Sequence, residues 1–149
     1  MPKLQEVLAE ALSLNEQIKK FLNFSTYTEY SGMDDLDMDS MDGEQLFLMD
    51  ELKRFAYFLT HAQERIVYLT RPVKKESILR ERPDGKYQTE SGHVFEVGSG
   101  IEALVTSRFR AVPYWARTIV DRDVDYKGED YYLLDFEDLP MEGLRVRER

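Results

Sequence analysis

"ERIVYLTRPVKKESILRERPDGKYQTE", residues 64–90, changes its period partway along, and that change decides the fold. Upstream of Arg71-Pro72, apolar residues recur three and four apart, at Leu48, Leu52, Phe55, Leu59, Ala62, Ile66 and Leu69. This spacing draws an apolar seam along a helix of about 3.6 residues per turn. Glu44, Asp50 and Glu51 near its start and Arg65 near its end suit the helix dipole. Pro72 closes it, because the proline ring crowds the helical conformation of the preceding residue. Downstream, "ILRER" and "KYQTE" flank Pro-Asp-Gly, a pattern of strand, tight turn and strand.

Toward the N-terminus a second seam runs through Leu4, Val7, Ala11, Leu14, Ile18 and Phe21, and Pro2 suits a first helical turn. The spacing predicts a helix over Leu4 to Leu22. Residues 23–42 contain no lysine or arginine and are too many for a tight interhelical turn. Two helices packed as an antiparallel pair leave much of each seam in water. The expectation is that they pack on a second copy, as a homodimeric four-helix arrangement, or on the C-terminal half.

"MDDLDMDSMDGE", residues 33–44, carries six acids in twelve positions. A calcium loop needs ligands at positions 1, 3 and 5, glycine at 6 and glutamate at 12. Starting at Asp35 puts Ser40 at the glycine and Leu46 at the glutamate; starts at Asp37 and Asp39 fail similarly. The stretch therefore reads as a solvated acidic loop. Met33, Leu36, Met38 and Met41 interleave with the acids, which also allows a docking segment.

The chain has 149 residues and no cysteine, which excludes disulfides, thiol catalysis and thiolate-held metals. It shows no continuous apolar run of signal-peptide or membrane-spanning length; "FAYFLT" (55–60) is the longest candidate. A soluble, cytoplasmic protein with no membrane partner is expected. Net charge is −9, and residues 1–70 account for −7 with 6 Lys+Arg against 13 Asp+Glu. So negative a chain repels phosphate backbones broadly, leaving room only for a local basic strip in the second half.

From residue 76 the texture is β-rich. "SGHVFEV", "YWARTIV" (114–120), "YYLLDF" and "GLRVRER" follow the first hairpin, with a turn at "YKGED". Five or six short strands in so few residues suggest a small, strongly bent barrel. Gly98-Ser-Gly-Ile-Glu-Ala103 matches a dinucleotide fingerprint, with Asp121 about 20 residues on. That reading needs a helix after the glycines. "IEALV" suits a strand instead, so nucleotide-dependent enzymology stays a remote alternative. His61 and His93 have no nucleophile beside them, and "DFED" (135–138) and "DRDVD" (121–125) read as charged turns. No catalytic, cofactor-binding or metal-binding residue is assigned.

Alternation places Trp115, Arg117 and Ile119 on one face and Tyr114, Ala116, Thr118 and Val120 on the other. Tyr131, Tyr132 and the arginines Arg145 and Arg147 follow on later strands. Trp115, Arg117, Tyr131, Tyr132, Arg145 and Arg147 are accordingly the candidate partner-binding residues, for a peptide or, second, for single-stranded nucleic acid.

"GSGIEALV", "YWARTIV" and "DYYLLDFEDLPMEGLRVRER" together resemble a small domain encoded on conjugative transposons and phages of Gram-positive bacteria. The shared pattern is Gly98, Ile101-Glu102, Trp115 with Arg117-Thr118-Ile119, Tyr131-Tyr132-Leu133 and Gly143 to Arg147. It covers residues 76–149, and the loop from Thr106 to Pro113 is longer than the pattern. The order of glycine-led, tryptophan and tyrosine-rich strands is also similar to SH3-like barrels of the Tudor and Agenet sort. The resemblance implies an accessory role on a mobile element and brings no catalytic residues. The expected fold is thus α+β, with a two-helix antiparallel hairpin at 1–72 and an SH3-like barrel at 76–149. The expected function is a non-enzymatic interaction or regulatory protein that binds an unidentified protein partner. A nucleic-acid-binding accessory protein using the barrel arginines is the alternative.

Overall fold

The computed structural model describes residues 1–123 and 130–149. The turn expected at "YKGED" and the end of "DRDVD" fall at 124–129, outside the described residues. The chain divides into two compact units, Met1–Arg71 and Pro72–Arg149.

The first unit holds α1 (Leu4–Ser25) and α2 (Gly43–Thr70). At the start of α1 the Lys3 backbone N–H donates to the Glu6 carboxylate at 2.7 Å. At the start of α2 the Asp42 carboxylate accepts from the Gln45 N–H and the Gln45 side-chain oxygen accepts from the Asp42 N–H, both at 2.9 Å. That reciprocal capping box satisfies backbone donors that a helix N-terminus otherwise leaves bare. The helices meet at an edge-on contact of Phe21 with Phe55, ring centroids 5.3 Å apart. Ile18, Met49, Ala56 and Ile66 are buried, together with the polar side chain of Asn15.

The connecting segment has local structure of its own. Thr28 and Gly32 exchange backbone hydrogen bonds of 2.9 and 2.8 Å, closing a small loop. Gly32 has φ +59, and a Cβ there would press on the Lys53 side chain at 3.4 Å. Met33 follows with 1% exposure, while Asp34, Asp35, Asp37 and Asp39 stay in water. The methionine anchors the loop and the acids keep it solvated.

Among the described residues the second unit is a curled antiparallel half-barrel of seven strands in the order β3-β2-β1-β7-β4-β5-β6. In chain order they are β1 (Lys75–Glu81), β2 (Tyr87–Thr89), β3 (Val94–Phe95), β4 (Gly100–Val105), β5 (Tyr114–Arg122), β6 (Tyr131–Leu133) and β7 (Arg145–Glu148). The β1–β2 hairpin turns through Gly85 at φ +81, with Leu79 opposite Thr89. "IEALV" forms a strand, as its sequence suits, and adds to the expected five or six; it lies between β7 and β5. Leu79, Ile101, Ala103, Val105, Val120, Leu133 and Val146 form a core on the concave side, each at most 4% exposed. Ala116 and Tyr114 of β5 pack on that core, which sends Trp115 and Arg117 to the other side of the sheet.

Met33→Ala should cost the helical unit about 2–5 kcal/mol, the range for deleting a fully buried side chain. Chemical denaturation followed by helical circular dichroism measures this. An unchanged midpoint means that Met33 does not anchor the loop.

Candidate functional site

The outer side of the sheet carries a row of charges that the register dictates. Glu76 on β1 stands opposite Arg147 on β7, Arg147 opposite Glu102 on β4, and Glu102 opposite Arg117 on β5. Side chains directly across an antiparallel pair lie about 4.5–5.5 Å apart at Cβ, so alternating signs attract along the row.

Glu102 is its centre. Its side chain is 7% exposed, and those of Arg147 and Arg149 are 17% and 18% exposed. Arg147 donates through Nη2 at 3.2 Å, and Arg149 donates through Nε to both carboxylate oxygens at 3.1 and 2.9 Å. Burial acts to raise the carboxyl's pKa, but the hydrogen bonds and charges of the two guanidinium groups outweigh it. The net effect holds Glu102 below the usual carboxylate range. The Arg147 guanidinium lies 4.3 Å from the ring centroid of Trp115, a cation–π stack. Alongside, Arg145 donates to the Glu76 carboxylate at 2.7 Å.

The six residues singled out from the sequence divide between the two sides. Trp115, Arg117, Arg145 and Arg147 share the outer face. Tyr132 stands opposite Asp121 on β5, four residues or about 13 Å along the strand from Arg117, and its hydroxyl donates to Asp121 at 3.3 Å. Tyr131 packs against the core, with the Arg122 guanidinium 5.5 Å over its ring. Period two separates adjacent tyrosines necessarily. Glu102 and Arg149 escaped selection from the sequence. The signal was a lone acid inside an apolar run, flanked by Ile101 and Ala103.

Two concavities lie apart from this row. One, about 580 Å³, runs between the loop at 106–109 and the segment 135–139, over Tyr114 and Phe136. Arg110 covers the Tyr114 ring at 4.1 Å. The other, about 350 Å³, lies in the helical unit beside Tyr27, Lys53, Tyr57 and Phe58. Gly98 turns at φ +87 directly toward β4, so no helix N-terminus follows the Gly-Ser-Gly segment. Among the described residues no three His, Asp or Glu side chains cluster as metal ligands would. No helix among them is long and apolar enough to cross a membrane.

No family model matches the chain, and no similar curated protein or solved structure was found for it.

The sign of the Glu102 effect follows from its lowered folded pKa. Its contribution to stability is complete above the ordinary carboxylate value of 4.5 and is lost as pH falls through the lower folded value. Glu102→Gln should cost about 2–3 kcal/mol at neutral pH, because two part-buried arginines lose their counter-charge. It should also flatten the acid limb of stability. Denaturant midpoints across pH test both, and an unaltered acid limb assigns that limb to other carboxylates.

Proposed function

We propose that this chain is a non-enzymatic interaction or regulatory protein, an accessory to a bacterial mobile element acting in the cytoplasm. It self-associates through its helices and docks a protein partner on the sheet unit beside Trp115. The observation that carries this reading is how much apolar side chain the helical unit keeps in water. Leu14, Phe24, Phe47, Phe55 and Phe58 are each at least half exposed. Exposed apolar side chain on that scale suits a unit that associates. Phe21, near the end of α1, touches Phe55 in the first half of α2, which supports an antiparallel hairpin. The curl of the short antiparallel strands supports an SH3-like barrel.

The chemistry of the charged row favours binding over catalysis. An ionised carboxylate saturated by guanidinium donors is a poor proton carrier, and structural ion pairs shift pKa values without any reaction. The same row weakens the nucleic-acid alternative. Arg145 and Arg147 already hold Glu76 and Glu102, so a phosphate would have to displace carboxylates from them. Trp115 is the chain's one tryptophan, and its broad ring beside a fixed cation has the composition of a binding anchor.

The test uses immobilised protein and a Gram-positive host lysate, with and without nuclease. A retained protein that survives nuclease is expected. Trp115→Ala and Arg117→Ala should weaken its retention, Trp115→Ala by about 2 kcal/mol or roughly thirtyfold. Unaltered retention by both variants removes the sheet face from the assignment. Retention that vanishes with nuclease, or falls steeply with salt, promotes the nucleic-acid reading.

A further inference from the structure

We infer that one defined face of the helical unit, carrying Val7, Leu14 and Phe21 of α1 and Leu48, Leu52 and Phe55 of α2, is where a second copy of this chain docks. The inference rests on the proposed self-association and assigns it a surface.

The face follows from helix geometry. Val7, Leu14 and Phe21 are spaced by sevens, and two helical turns take about 7.2 residues, so the three fall on one stripe. Leu48, Leu52 and Phe55 form the equivalent stripe on α2. Phe21 touches Phe55, so the two stripes meet on one side of the helix pair. The buried side chains Asn15 and Ile18 of α1 and Met49 and Ala56 of α2 already serve the unit's own interior. Phe21 and Phe55 make the contact between the helices, and the rest of the two stripes stays outside that interior. Val7, Leu14, Leu48, Leu52 and Phe55 remain 44–55% exposed.

Two features select a second copy as occupant. With Leu4 and Leu69 at the ends of the seams, these side chains leave on the order of 800 Å² in water, about what each partner buries in a specific interface. A seven-residue apolar repeat is also complementary to another helix, whose own knobs and holes recur at that interval. A two-fold axis sets such a face against itself, and two helix pairs then close a four-helix arrangement. Residues 1–70 carry a charge of −7, so two copies repel at long range. Salt should therefore tighten the association, opposite to its effect on a phosphate contact.

Sedimentation of the full chain over a wide concentration range, at low and high salt, tests this. The expected result is a concentration-dependent dimer favoured by salt. Leu14→Glu and Leu52→Glu should each weaken it by roughly a hundredfold or more while helical circular dichroism is retained. Phe47→Ser removes an equally exposed side chain about 100° around α2 from Leu48, and it should leave the dimer intact. A dimer that survives both glutamates refutes this face and leaves self-association standing. Should a glutamate unfold the unit, hydrogen exchange on the unaltered chain decides. Protection of 7–21 and 48–55 that rises with concentration supports the inference. A monomer with these segments protected at every concentration overturns it in favour of cover by the chain itself. A monomer in which they exchange freely removes both the face and the self-association reading.

Discussion

One carboxylate sets the terms for the sheet. Glu102 sits on β4, between β7 and β5, with Ile101 and Ala103 pointing into the core on either side of it. Such a group is costly to bury, and only the guanidinium groups of Arg147 and Arg149 make its place tolerable. Both come from the β7 end of the chain, far away in sequence. The pair therefore joins the middle of the unit to its last strand, and it does so in one register only. A slip of one residue would turn the carboxylate into the apolar core and bring Ile101 and Ala103 to the outside. Replacing the row with apolar groups would keep the area buried but give up that discrimination between registers.

The same row constrains what the outer face offers a partner. Opposite charges alternate along Glu76, Arg147, Glu102 and Arg117, which offsets part of the face's arginine charge. Trp115 lies against this fixed lattice, with Arg147 held beneath its ring from the carboxylate side. An aromatic ring whose support is already in place loses little freedom on binding, and such anchors contribute most per side chain. Arginine content alone would suggest phosphate binding; arginine pairing fits better with the proposed docking of a protein partner beside Trp115.

The sequence announced each element by a local cause. Arg71-Pro72 ends α2, Pro-Asp-Gly turns β1 into β2, and alternation splits β5 into Trp115 and Ala116 faces. Its blind spots were non-local. "IEALV" could be assigned to a strand but not to a place between β7 and β5, because only pairing with distant segments puts it there. Glu102 looked like one acid among many until β7 delivered two arginines to it. Within the acidic loop, composition predicted solvation, which Asp35, Asp37 and Asp39 obey. It gave no sign that Asp42 would cap α2 or that Met33 alone would be buried.

The helices show how periodicity can identify apolar faces and place the interior only in part: Ile18 and Ile66 of the two seams are buried. The seam through Leu48, Leu52 and Phe55 is regular, yet the structure buries Met49 and Ala56, displaced around the helix from it. On α1, likewise, Asn15 is buried while Leu14 stays in water. A helix with a single partner needs one apolar stripe; these have more than one stripe's worth. Burying an asparagine while leaving a leucine exposed is unfavourable for an isolated pair, since both residues lose by it. The arrangement becomes favourable once the exposed leucine has a surface of its own to meet. The proposed self-association accounts for this excess apolar periodicity, which was legible in the sequence before any contact was.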